Sequence, residues 1–295
     1  MKKIKGIFVA MMTIFKEDGT INEKETKRLL KELEAENVDG IFVNSSIGEG
    51  VTLTNADFDI LLKLTSETIK DKSKIVVGIT SIDIKGTKDK IQISKKYGYK
   101  RVVIAPPYYY DNTSESLVNY YSEISKEDIE IILYNIPLFT TPITKECFHE
   151  LLKIPNIIAL KDSSGSALDF CNFLYEVKQS LRQDFCLLIG REEFLLGGLL
   201  LGADGCMLGF GNIKVSILKK IYEAYKNNKL DEALNYQLEV VPIINKLFSL
   251  RFPLGFKAAL EAKGYKNQGF LRPLTKNESE KYTELKLELE KMFSE

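Results

Sequence analysis

One lysine in this 295-residue sequence is placed where it could do chemistry. Lys161 ends the apolar run Ile157-Ile158-Ala159-Leu160, so a buried strand would hold its stem while the amine faces the strand's end. Desolvation lowers an amine's pKa, and a neutral amine can attack a ketone to form an imine. The protonated imine then draws electrons from the neighbouring carbon. Taken alone, the same lysine could instead be structural and paired with Asp162. Tyr134, just before Ile136-Pro137, is a phenol that could carry a proton to or from a substrate oxygen, or an aromatic core residue. Tyr109, inside the run Tyr108-Tyr109-Tyr110, could extend such a relay or form an interface patch.

Ser46-Ile47-Gly48-Glu49 offers a hydroxyl and successive backbone N–H groups, a concave anion site suited to a carboxylate. Turn serines and glycines are common in any case. Gly205, Gly209 and Gly211 suggest tight backbone packing rather than a phosphate cradle. His149 is the only histidine and falls on a predicted helix. A catalytic triad or a histidine-rich metal site is therefore disfavoured, and an imine is the electrophile left over.

The elements that must position these residues alternate. Strand candidates begin near Ile7, Ile41, Ile75, Val102, Ile131, Ile157, Cys186 and Cys206, the last ending near Asn212. Near-continuous apolar runs suit parallel strands buried on both faces. Helical patterns lie between them: Asn22 with Glu25 opens one that carries Leu29, Leu30 and Leu33, and Thr54 with Asp57 opens another carrying Phe58, Leu61, Leu62 and Ile69. Eight βα units predict an α/β fold, a (β/α)₈ TIM barrel over residues 1–225 carrying the active site. No GxGxxG follows the first strand, which disfavours a dinucleotide fold. Residues 226–295 predict a C-terminal helical extension, with helices over 230–250, 252–263 and 277–293.

A barrel places its active site at the C-terminal ends of its strands. There lie the Ser46 turn, Tyr108 to Tyr110, Tyr134, Lys161-Asp162-Ser163, Gly190-Arg191-Glu192-Glu193 and the residues after Met207. With 41 basic against 41 acidic residues, nothing favours nucleic acid or a membrane surface, so a small molecule is the expected partner. Cys147, Cys171, Cys186 and Cys206 show no CxxC spacing. With no apolar stretch of signal or spanning length, this fits a reducing, cytoplasmic setting.

In combination and order these motifs resemble the N-acetylneuraminate lyase and dihydrodipicolinate synthase superfamily of pyruvate-dependent Schiff-base enzymes. The match runs along nearly the whole chain, through Ser45 to Glu49, Tyr134-Asn135-Ile136-Pro137, Ile158 to Asp162 and Leu201 to Gly205. The resemblance implies that Lys161 forms the imine and Tyr134 relays protons, with Tyr109 completing the relay across a subunit contact. It implies that Ser46 and the Ile47 N–H hold the pyruvate carboxylate, and that Gly190 and the backbone around Met207 line the site. It further implies a homotetramer that needs no cofactor.

Departures from the family pattern sort the branches. Dihydrodipicolinate synthases resemble one another in an arginine two residues after the Tyr-Asn-x-Pro proline; here that position is Phe139. Ile47 stands where a second hydroxyl residue is usual, a loss of about 1 kcal/mol of carboxylate binding. Glu192 and Glu193 lie where sialic-acid lyases place acceptors for a polyhydroxy tail, or they form a solvated helix start. Lys161-Asp162-Ser163 looks more like aldolases for 2-oxo-3-deoxy sugar acids and 4-hydroxy-2-oxoglutarate, with Ser163 near the hydroxyl of the bond being broken. The leading expectation is a lyase cleaving a 4-hydroxy-2-oxo acid to pyruvate and an aldehyde. A condensing enzyme using aspartate semialdehyde, and a barrel binding a 2-oxo acid without turnover, are the rivals.

Overall fold

A computed structural model describes residues 4–266 and 269–294. Its strands are β1 (Gly6–Ala10), β2 (Gly40–Val43), β3 (Ile75–Gly78), β4 (Arg101–Ile104), β5 (Glu130–Asn135), β6 (Ile157–Asp162), β7 (Cys186–Ile189) and β8 (Gly205–Leu208). They pair in parallel in chain order, and β8 closes on β1. Helices α1 (Glu23–Ala35), α2 (Asn55–Thr68), α3 (Ile84–Lys96), α4 (Ser114–Ile124), α5 (Lys145–Leu151), α6 (Ala167–Gln179), α7 (Leu195–Leu201) and α8 (Gly211–Lys226) follow the strands. Each strand is covered by helices outside and side chains inside, which is why apolar residues fill it without alternation.

The helix starts form as their sequences dictate. The Asn22 side chain accepts from the Glu25 N–H at 3.2 Å, and Thr54 from the Asp57 N–H at 3.2 Å, each satisfying a donor that the first turn leaves free. α1 buries Leu29, Leu30 and Leu33, and α2 buries Phe58, Leu61 and Leu62. Ile69 is buried too, one residue beyond the end of α2.

One boundary differs from the expectation. The last strand stops at Leu208, and Asn212 lies in α8. Its amide donates to Ala10 O at 2.7 Å and Gly209 O at 2.6 Å, and its carbonyl accepts from Met12 N at 3.0 Å. Asn212 thus replaces ladder bonds at the end of β1.

Of three more helices, α9 (Leu230–Leu247) and α10 (Leu254–Ala262) pack against α8 and each other, and α11 (Lys276–Ser294) packs against α10. They reach back to the mouth of the barrel. Gln237 of α9, itself buried, accepts from Leu196 N at 2.9 Å and donates to Glu192 O at 3.0 Å. No helix among the described residues is long and apolar enough to cross a membrane.

Candidate active site

A bulge puts Lys161 opposite Tyr134. Where β5 meets β6 the register begins as Ile131 on Ile157, then slips so that Ile132 faces Ala159 and Tyr134 faces Lys161. Without the extra residue, Ile158, Tyr134 would face Leu160 instead. A slip of one residue turns a side chain to the other face of a sheet, so the bulge makes the phenol and the amine neighbours. Lys161 is 4% exposed, with Nζ 4.2 Å from the Tyr134 ring centroid and 5.1 Å from that of Phe42.

The amine has no acidic partner within ion-pair distance among the described residues. Asp162 is turned away and otherwise engaged: Asn135 Nδ2 donates to it at 2.8 Å, Ser164 N at 3.1 Å and Ser164 Oγ at 2.8 Å. Burial pushes the Asp162 carboxyl up, against those hydrogen bonds. The Tyr134 hydroxyl also lacks a partner among the described residues.

Lys161, Tyr134, Ser46, Ile47, Ser163, Gly190, Glu192 and Met207 line one cavity of about 70 Å³. A water needs roughly 10–15 Å³ on this measure, so the space suits a small oxo acid rather than a whole sugar acid. A larger cavity of about 350 Å³ shares Ser46, Ile136, Phe139 and Phe252 as walls and gives a longer substrate somewhere to extend.

The turn after β2 is built to present donors. Ser45 Oγ donates to Met11 O at 2.8 Å and accepts from Gly48 N at 3.2 Å. Ser46 O and Ser45 O accept from the N–H groups of Glu49 and Gly50. The N–H groups of Ser46 and Ile47, and the Ser46 hydroxyl, take no acceptor among the described residues. Unspent, partly buried donors of this kind call for an anion. Ile47 packs its side chain against Gly209, where an added Cβ would lie 2.5 Å from Ile47 Cδ1. Glu49 adopts φ +55, an uncommon conformation for a residue with a side chain. It is tied down by an ion pair to the buried Lys257, a residue that sequence reasoning did not single out.

Ser163 Oγ donates to Gly190 O at 3.1 Å. A Cβ on Gly190 would lie 2.1 Å from Ser163 Oγ and 2.8 Å from Lys161 Cε, so only glycine lets β7 pass this close. Gly190→Ala should therefore displace the amine. The expected loss is about 100-fold in kcat, with about 1–3 kcal/mol of stability lost to the overpacking, checked by steady-state rates beside thermal unfolding.

Glu192 is buried, and its Oε1 accepts from Gly209 N at 2.8 Å and Phe210 N at 3.1 Å; burial raises its pKa. Glu193 does not line the cavity; its Oε1 is held by Arg191 and its Oε2 is buried without a partner. Tyr109 does not line it either: it is 84% exposed, with φ +82. His149 is exposed and binds Glu176 at 2.8 Å, remote from the cavity. Sequence reasoning also missed the aromatic wall. Phe248, Phe252 and Phe256, from α10 and the segment before it, line the cavity, and their four-residue spacing was the available signal.

The model of the dihydrodipicolinate synthetase family matches residues 3–292. The chain is 32% identical over 277 residues to an uncharacterised DapA-like lyase of Pyrococcus horikoshii, covering 92% of this chain and 94% of that one. It is 30% identical over 293 residues to an N-acetylneuraminate lyase of Fusobacterium nucleatum, covering 98% and 99%. Among solved structures, the 2-keto 3-deoxygluconate aldolase of Picrophilus torridus superposes with a TM-score of 0.85 at 32% identity, over 92% of this chain and 97% of that one. The chain belongs to the dihydrodipicolinate synthetase family, and with it to the pyruvate-dependent aldolases and lyases that make and break carbon–carbon bonds.

Proposed function

We propose that this enzyme cleaves, or makes, a 4-hydroxy-2-oxo acid through a Schiff base on Lys161, with pyruvate and an aldehyde as the fragments. The observation that carries the reading is a lysine 4% exposed, facing a tyrosine across a bulge with no carboxylate within ion-pair distance among the described residues. Nζ adds to C2 of the oxo acid, and the C2 oxygen leaves as water, giving an iminium. Loss of the C4 hydroxyl proton lets the C3–C4 bond break, and its electron pair moves into an enamine on Lys161 while C4 becomes the aldehyde. Protonation at C3 and hydrolysis then release pyruvate and restore the amine.

Tyr134 is the proton carrier in this scheme, and Ser163 contacts the C4 oxygen. The Ser46 hydroxyl and the N–H of Ile47 hold the carboxylate. Tyr109, exposed and in a strained conformation, serves the site of a second copy within a homotetramer, lengthening its relay. The names of an N-acetylneuraminate lyase and a 2-keto 3-deoxygluconate aldolase among the relatives support a sugar-derived acid. Phe139, packed 5.8 Å from Phe252, adds an apolar wall and weighs against aspartate semialdehyde. The four cysteines, three of them buried, suit a cytoplasmic enzyme.

Borohydride reduction with pyruvate present should leave a pyruvate-derived mass on the peptide that contains Lys161. No adduct, or an adduct on another lysine, ends the proposal. An adduct without turnover of any aldehyde would favour a binding protein instead.

A further inference from the structure

We propose that Arg191 selects aldehydes bearing a distal anion, a phosphate or a carboxylate. The inference rests on the Schiff-base reading and narrows its substrate class. Arg191 follows β7 and lines the same cavity as Lys161. Its guanidinium is fixed from two sides. Nε donates to Glu193 Oε1 at 2.9 Å with Nη2 on the same oxygen, and the group stands 5.3 Å from the centroid of the Phe248 ring, itself a wall of the cavity.

Because both donors converge on one oxygen, Nη1 has no acceptor among the described residues. A guanidinium offers five N–H donors in a rigid fork, so most remain for a ligand. The side chain is 31% exposed and can be reached from the mouth.

Of the carboxylates beside it, Glu192 Oε1 is taken by two backbone N–H groups and Glu193 Oε1 by Arg191 itself, while Glu193 Oε2 is buried without a partner and Glu193 does not line the cavity. What this side of the mouth offers a tail is therefore mainly donors, which match an acceptor-only group such as a phosphate or carboxylate. Arg191 follows β7, the strand next to the β6 that carries Lys161, and its side chain lines the same cavity as the amine.

The test runs the condensation with pyruvate and matched aldehydes: glyceraldehyde 3-phosphate against glyceraldehyde, and 4-oxobutanoate against butanal. The pair with the larger ratio identifies the anion. Wild type should favour the charged member in kcat/KM by about ten- to a hundredfold. Arg191→Met should bring the ratio close to one with KM for pyruvate unchanged, and Glu193→Gln, which removes the competing charge, should raise it.

Equal losses for both members in Arg191→Met would overturn the inference, since a merely structural pair would produce them. So would a preference for the neutral aldehydes. So would a charge preference that survives Arg191→Met and disappears in Arg272→Met, the arginine lining the adjoining cavity. Borohydride trapping of pyruvate needs no aldehyde: loss of the adduct reports failure of the Schiff base, and an intact adduct without charge selection reports failure of Arg191.

Discussion

Replacing Lys161 with methionine is expected to lower turnover by about four orders of magnitude or more while leaving the chain folded and no less stable. The two effects separate because of what surrounds the amine. Lys161 is 4% exposed, yet no carboxylate lies within ion-pair distance among the described residues. Removing one member of a buried pair strands the other and is costly; here the buried carboxylate that feels the amine, Glu192, is no ion-pair partner and keeps the N–H groups of Gly209 and Phe210. Methionine keeps most of the volume, without the amine, between Tyr134 and Phe42. Lys161→Arg should be equally inactive, since a guanidinium keeps the charge and cannot form the imine. Pyruvate release and thermal melts measured on the same preparations decide the matter. Turnover within tenfold of wild type in either variant removes Lys161 from the chemistry.

The barrel was legible because a parallel strand buried on both faces writes itself as a continuous apolar run, and because caps such as Asn22 and Thr54 act within one turn. Lys161 was legible for the same reason, as a charge that ends such a run. The bulge at Ile158 was not, since an extra isoleucine looks like any other strand residue and the neighbouring strand decides the register. The end of β8 was misjudged because Gly209 and Phe210 continue an apolar pattern, and only the bonds of Asn212 to β1 show that the strand has stopped. Glu193 reads as an acceptor for a polyhydroxy tail or as part of a solvated helix start, and its pairing with Arg191 was not legible because it is a tertiary fact. The aromatic wall comes from residues 248–256, far in sequence from the strand ends that carry the rest of the cavity.

Lys257 is the residue whose importance the sequence conceals most completely, and its loss should cost stability where the loss of Lys161 does not. It is 1% exposed in α10, with Nζ 2.5 Å from Glu49 Oε2, and it donates to Gly269 O at 2.9 Å. The rings of Phe15 and Phe270 stand 5.1 Å and 5.6 Å from the ammonium. Burial lowers the Lys257 pKa and Glu49 draws it back up.

Lys257→Ala leaves Glu49 a buried acid without its cation, and the expected loss is about 3–5 kcal/mol in denaturant unfolding. The double variant Lys257→Met with Glu49→Leu should recover most of that loss, because two apolar groups in place of a buried pair are often neutral. Recovery of stability should not bring recovery of binding. Glu49 sits at φ +55 immediately after Gly48, in the turn whose Ser46 and Ile47 N–H groups have no acceptor among the described residues and are proposed to hold the carboxylate. Without the ion pair that turn loses its anchor to α10, so the double variant should show a raised KM for pyruvate at nearly unchanged kcat. If Lys257→Ala unfolds with the wild-type midpoint, the pair contributes nothing to the fold. If the double variant binds pyruvate normally, the turn is set by its own backbone bonds and not by the pair.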